Sequence, residues 1–176
     1  MKSRYPLVTF LLAAVLLSGC SENSVTEPRE PSSNEYYVAS VQGNKFLAVL
    51  TEPYSGFEPN TDKEYYSATY YEYPNASDLK AGQRVKIESS HPVMESLPGQ
   101  GIADSVEVLP EYKPKEADMS ESEIVMKAIE MTKEQSDEIN PIIVGIKNIQ
   151  YDDQSDMWKV STNLDGEIFE LKIEDK

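Results

Sequence analysis

Apolar residues in this chain fall into short runs of differing period, separated by polar stretches rich in Pro, Gly and Asn. The first run, residues 7–17, is broken only by Thr9 and follows Lys2 and Arg4. It is too short to cross the hydrocarbon core of a bilayer and has the make-up of a secretory leader. Past residue 34, residues 36–41 and 46–50 are β-rich runs around Gly43-Asn44, which predicts a hairpin. Strand composition returns at residues 65–73, and residues 77–81 predict a short helical turn ended by Gly82. Residues 84–88 then alternate polar and apolar with period two, the pattern of a half-buried strand, and residues 102–109 form a last strand before Pro110. Five short strands without a long helix predict a small β-barrel.

The period changes after residue 119. Ser120 and Glu123 form a capping box ahead of Ile124, Ala128 and Met131 at helical spacing, so a helix is expected from Ser120 to about Asp137 or Ile139, with Pro141 barring its continuation. Residues 142–151, 157–164 and 167–173 are strand-like, and Asp165-Gly166 between the last two is a hairpin signal. Trp158, Val160 and Thr162 share one face, and Phe169, Leu171 and Ile173 share another. The fold class expected is therefore all-β plus α+β: a small barrel followed by a helix packed on a three-stranded antiparallel meander.

The polar stretches divide the chain. Residues 21–34 hold Pro28 and Pro31 with little to bury and read as a tether. Residues 111–119, with Pro114 following Pro110, read as a second linker. The layout expected is a leader over 1–19, a tether over 20–34, a β domain over 35–110, a linker over 111–119 and an α+β domain over 120–176. At the leader's end, Leu17-Ser18-Gly19-Cys20 resembles the lipobox of bacterial lipoproteins. That resemblance implies a diacylglyceryl group on Cys20, cleavage before it, and anchoring to the outer face of the cell membrane. Two acyl chains, at about 0.8 kcal/mol per buried CH₂, hold a protein on a bilayer where one does not. The alternatives are an ordinary cleaved signal peptide and an uncleaved anchor. Cys20 is the only cysteine, so no intramolecular disulfide forms.

Charge narrows the partners. Lys2 and Arg4 are the only charges in residues 1–19, so the rest carries 14 basic against 31 acidic side chains, a net charge of −17. Nucleic acid and anionic headgroups are not expected partners, because affinity for either needs clustered Lys and Arg.

Two further resemblances bear on function. The segment from Asp78 to Ile87, with its Leu79, Gly82 and Val85, followed by Glu95-Ser96-Leu97-Pro98-Gly99-Gln100-Gly101-Ile102-Ala103, resembles an uncharacterised family of small Gram-positive lipoproteins with an OB-like barrel. It covers residues 35–110 and departs at Leu97, where family members commonly carry an aromatic. The resemblance implies an OB-like fold and an envelope location, and no catalytic residues. The helix, the Trp-x-Val strand and the Phe-x-Leu-x-Ile strand resemble the PepSY module found outside the membrane in bacteria. That module's closing Asp-x-x-Thr-Gly-like turn has no counterpart after Ile173.

Candidate chemistry is sparse. Tyr65, Tyr66, Tyr70, Tyr71 and Tyr73 crowd one stretch, with Tyr54 and Phe57 in the loop before it. Outward-facing members form a candidate ligand surface, and the same rings equally fill and lid a small barrel. Adjacent tyrosines on a strand point to opposite faces. His91 lies near Ser89, Ser90 and Glu95, yet no Gly-x-Ser-x-Gly elbow exists to seat a nucleophile. One histidine and one lipidated cysteine do not make a zinc site, and Asp152, Asp153 and Asp156 lack the spacing of an EF-hand loop. No catalytic residue, metal or cofactor is expected. The function expected is a non-enzymatic binding or accessory module at the cell envelope, taking a protein, peptide or glycan. The alternative is a peptidase-inhibiting or enzyme-modulating lipoprotein acting through the C-terminal domain.

Overall fold

A computed structural model describes residues 24–55, 61–136 and 143–176. The leader, Cys20 and Phe57 lie outside them. A short strand β1 (Ser24–Val25) precedes the hairpin of β2 (Glu35–Gln42) and β3 (Lys45–Leu50), in which Gln42 pairs with Lys45. The two-residue loop between them has Gly43 at φ +61°, a backbone region that only glycine enters freely. A small ribbon pairs β4 (Tyr54–Ser55) with β5 (Glu64–Tyr65), and β6 (Ala68–Glu72) joins β3. The strand expected over residues 65–73 is thus two, broken at Tyr66-Ser67, where Leu50 N–H reaches the Ser67 carbonyl. A 3-10 turn at Ala76–Asp78 leads to β7 (Arg84–Glu88), which pairs with β2.

The last strand expected over 102–109 is also two. Strand β8 (Gly99–Ile102) runs parallel to β6, while β9 (Ser105–Val108) runs antiparallel to β7. At the corner between them, Ala103 N–H donates to the Glu72 carbonyl at 2.9 Å and Asp104 N–H to the Glu88 carbonyl at 2.8 Å. One continuous stretch of chain therefore grips both sides of the sheet, whose order is β8-β6-β3-β2-β7-β9, and the sheet curls into a half-barrel. A register shift between Val38 and Ser40 adds to the bend, as β-bulges do. Inside the curl lie Val38, Phe46, Ala48, Tyr71, Leu79, Val85 and Ala103.

Strand β10 (Glu111–Tyr112) then leads to α1 (Glu121–Glu134). The helix starts where the sequence predicts: the Glu123 carboxylate accepts from Ser120 N–H at 2.9 Å and from its hydroxyl at 3.0 Å. It ends at Glu134, short of the expected Asp137 or Ile139. Strands β11 (Val144–Asp152), β12 (Met157–Leu164) and β13 (Glu167–Glu174) form the meander in sequence order. Asp165 and Gly166 both take positive φ, as a two-residue hairpin loop of type I′ requires. Helix residues Ile124, Val125, Ala128 and Ile129 pack with Trp158, Val160, Leu171 and Ile173, and Phe169 is half-buried beside them.

Residues 24–34 of the stretch that reads as a tether, and the stretch that reads as a linker, are part of the folded body. Strand β1 pairs in parallel with β10, Ser24 opposite Glu111 and Val25 opposite Tyr112. Ser32 N–H donates to Thr51 Oγ1 at 2.9 Å, and Arg84 donates to the carbonyls of Arg29 (3.0 Å) and Glu30. Tyr112, Ala117 and Met119 enter the core around Trp158, with Tyr112 edge-on to it at 5.6 Å. Tyr37, from the first half of the chain, sits in this same core. Leu47, Val49, Tyr66 and Ala68, on the outer face of the half-barrel, form a further apolar cluster with Ile143. The two halves share a core.

Candidate functional site

The tyrosines divide by face. Tyr71 points into the half-barrel, 5.8 Å from Phe46 and 6.3 Å from Tyr36. Burial, then the neighbouring Tyr36, pushes its pKa up to about 12. Tyr66 lies under β11, so close that a Cβ on Gly145 would stand 2.2 Å from its ring; burial, then Glu64, takes its pKa to about 12. Tyr65 is buried too, 6.1 Å from Tyr54. Tyr65, Tyr66 and Tyr71 are therefore withdrawn from the candidate ligand surface, because the C-terminal half and the sheet's own curl cover them. Tyr73 is half-buried, edge-on to Phe46. Tyr54 is 39% exposed on the β4–β5 ribbon.

Tyr70 remains, half-buried on the outer face. The register places it in a row that crosses four strands: Ser40 on β2 opposite Leu47 on β3, Leu47 opposite Tyr70 on β6, and Tyr70 opposite Gln100 on β8. Further along this face, Val49, Tyr66 and Ala68 pack with Ile143. At the open end the row lines a depression of about 300 Å³, joined by Gln42 and by Lys45, whose ammonium is 2.7 Å from Glu72. The lining offers an aromatic ring, an aliphatic floor, two carboxamides and a hydroxyl. These groups donate and accept hydrogen bonds without changing charge. The arrangement suits a neutral polar ligand with an apolar face, such as a sugar or an extended peptide.

The sequence candidates for catalysis have other partners. His91 is exposed, and the Ser89 hydroxyl donates to the His91 backbone carbonyl at 2.9 Å. Asp104 accepts from Ser90, and those bonds, more than His91, hold its carboxyl below the ordinary range. At the β11–β12 turn, Asp152 accepts from Lys159 at 2.6 Å and Asp156 from the Tyr151 hydroxyl at 2.8 Å. Among the described residues no three His, Cys, Asp or Glu side chains are grouped to hold a metal.

A buried polar junction between the halves has no forewarning in the sequence. The Tyr37 hydroxyl donates to Glu121 Oε1 at 2.5 Å, while Glu121 Oε2 accepts from Tyr112 N–H at 3.0 Å. Burial, then the Glu121 charge, pushes the Tyr37 phenol well above its ordinary pKa. Nearby, Glu35 Oε2 lies 2.9 Å from Arg84 Nε. These contacts span up to 84 residues of sequence and have no local signature.

Residues 35–110 match a family model described as protein of unknown function (DUF3221). The matched span is the curled sheet with its Tyr70 row, and the description assigns no activity. No curated protein and no solved structure matches the chain.

Proposed function

We propose that this chain is an extracytoplasmic lipoprotein, held on the cell membrane through diacylglyceryl on Cys20, and that it works as a non-enzymatic binding module at the cell envelope. The observation that carries the binding role is the four-strand row of Ser40, Leu47, Tyr70 and Gln100, lining an open depression beside the part of the sheet face where Val49, Tyr66 and Ala68 pack with Ile143. An OB-like reading of the half-barrel supports the same place. The chain meanders through β2, β3 and β6, returns on β7 to pair with β2, and closes with one stretch that grips both β6 and β7. OB-folds use the face of their second and third strands for oligosaccharides and other extended ligands, and those strands here are β3 and β6. The ligand is a neutral glycan or peptide of the envelope.

Two experiments test the reading. Metabolic labelling with a palmitate analogue should mark the protein and fail with Cys20→Ala; label retained in that variant removes the anchor. For the site, mature chain carrying Cys20→Ser is titrated with fragments of wall glycan and with wall-derived peptides. Tyr70→Ala should weaken binding about tenfold, equivalent to about 1.4 kcal/mol, with the circular-dichroism spectrum of the folded chain retained at the binding temperature. Binding of neither class, or equal binding by Tyr70→Ala, refutes the site. Capture of a peptidase that survives Tyr70→Ala would move the function to the C-terminal half.

A further inference from the structure

Cations taken out of water need partners, and the fold brings two unlike any others in the chain together. Arg4, Arg29 and Arg84 are its only arginines. Arg29 and Arg84, 55 residues apart, line one cavity of about 90 Å³ with Tyr37, Thr51, Lys147 and Asn148. The Arg84 side chain is only 3% exposed. Its two terminal nitrogens are engaged by the carbonyls of Arg29 and Glu30. Its Nε lies 2.9 Å from Glu35 Oε2, but the N–H is not directed at that oxygen and has no hydrogen-bond acceptor among the described residues. Arg29 Nε is likewise buried without an acceptor. Only three buried side-chain nitrogen or oxygen atoms lack a partner among the described residues, and these two belong to arginines of the same cavity.

The other lining groups do not supply the missing acceptor. The Tyr37 hydroxyl is turned to Glu121, Thr51 donates to the Ser32 carbonyl, and Lys147 adds a cation paired with Glu64 outside the cavity. Glu30 contributes its carbonyl to Arg84, and its side chain is exposed. Of the three cations in the wall, Arg84 has the Glu35 carboxylate beside it and Lys147 has Glu64, and Arg29 is the one with no carboxylate partner among the described residues. The cavity's space well exceeds the roughly 10–15 Å³ that one water needs. We infer that this cavity is an anion site, in which a small oxyanion, a phosphate or carboxylate group, is held between Arg29 and Arg84. The Arg29 guanidinium can match the paired oxygens of either, while Arg84, whose terminal nitrogens are taken by carbonyls, offers its Nε–H alone. The site is separate from the Tyr70 depression and independent of the anchor. Its walls come from residues 28–31, from the half-barrel and from β11, so occupancy ties three parts of the chain together and stabilises the folded state by mass action.

The test is thermal melting of the mature chain with inorganic phosphate, with acetate and with chloride at matched ionic strength. A saturable rise in melting temperature is expected with phosphate or acetate over chloride, and which of them acts names the oxyanion. In Arg29→Gln, which keeps the carbonyl that Arg84 grips, the concentration giving half the rise should increase at least tenfold. Broadening of the phosphate phosphorus-31 resonance, or of the acetate methyl proton resonance, by the native chain reads the same binding without any substitution. An equal rise in Arg29→Gln would be a general salt effect, and that result, or no rise and no broadening with either anion, overturns the site and leaves the cavity to water.

Discussion

Asp175 shows what a single carboxylate does here. It is buried, and it accepts from Asp118 N–H at 2.6 Å, Met119 N–H at 2.8 Å and Trp158 Nε1–H at 3.0 Å. Burial raises its pKa, but these hydrogen bonds, with Lys113 nearby, outweigh it and leave the carboxyl below its ordinary value. A carboxyl depressed in the folded state contributes stability that is present above the unfolded pKa and lost as pH falls through the folded one. Asp175→Asn should therefore lower stability by about 1.5–3 kcal/mol at neutral pH. It should also flatten the loss of stability below about pH 3.9, the unfolded value, as followed by urea unfolding across that range. Tyr37, Tyr66 and Tyr71 work at the other end. Their raised pKa values keep the folded state protonated while the unfolded chain ionises, so stability falls as pH rises above about 10. Tyr37→Phe should cost about 1–3 kcal/mol by stranding Glu121 and should make that alkaline fall shallower. The sequence made legible that neighbouring tyrosines take opposite faces, as Tyr70 and Tyr71 do. It did not reveal which outward rings the C-terminal half would cover, because that contact is made by residues far along the chain.

Elements with local signals were legible in the sequence. The start of α1 follows from Ser120 and Glu123, the β12–β13 turn from Asp165-Gly166, and the β2–β3 turn from Gly43-Asn44. Elements shaped by distant partners were not. The split between β8 and β9 depends on the Glu72 and Glu88 carbonyls, and nothing around Ala103-Asp104 announces it. Two glycines mark where elements press together. Gly82 has φ +86°, and a Cβ there would meet the Ser122 carbonyl oxygen at 2.0 Å, where the turn before β7 abuts the helix start. Gly145 gives β11 its seat on Tyr66. Gly145→Ala should destabilise the fold by about 1–3 kcal/mol, the usual cost of overpacking, with a changed near-ultraviolet aromatic spectrum as Tyr66 is displaced. An unaltered spectrum and melting curve would mean that β11 does not lie against that ring.

For the molecule as a whole, the prolines at 28, 31, 110 and 114 suggested breaks, but Tyr112, Ala117 and Met119 are core residues. Their spacing follows neither a strand nor a helix period, so their burial is invisible until the helix and meander are in place. With Tyr37 and Tyr66 buried against the opposite half, separation would expose both. Residues 21–176 should unfold in one calorimetric transition, whereas excised residues 35–110 should melt at lower temperature; two transitions in residues 21–176 would show independent halves. The same closure bears on the order in which the structure is made. Residues 24–34 leave the ribosome early, yet their seats, on Arg84, on β10 and beside Ile146 and Ile149, are synthesised afterwards. Residues 24–34 are thus among the last parts to fold, and ring closures of that span are the slow ones.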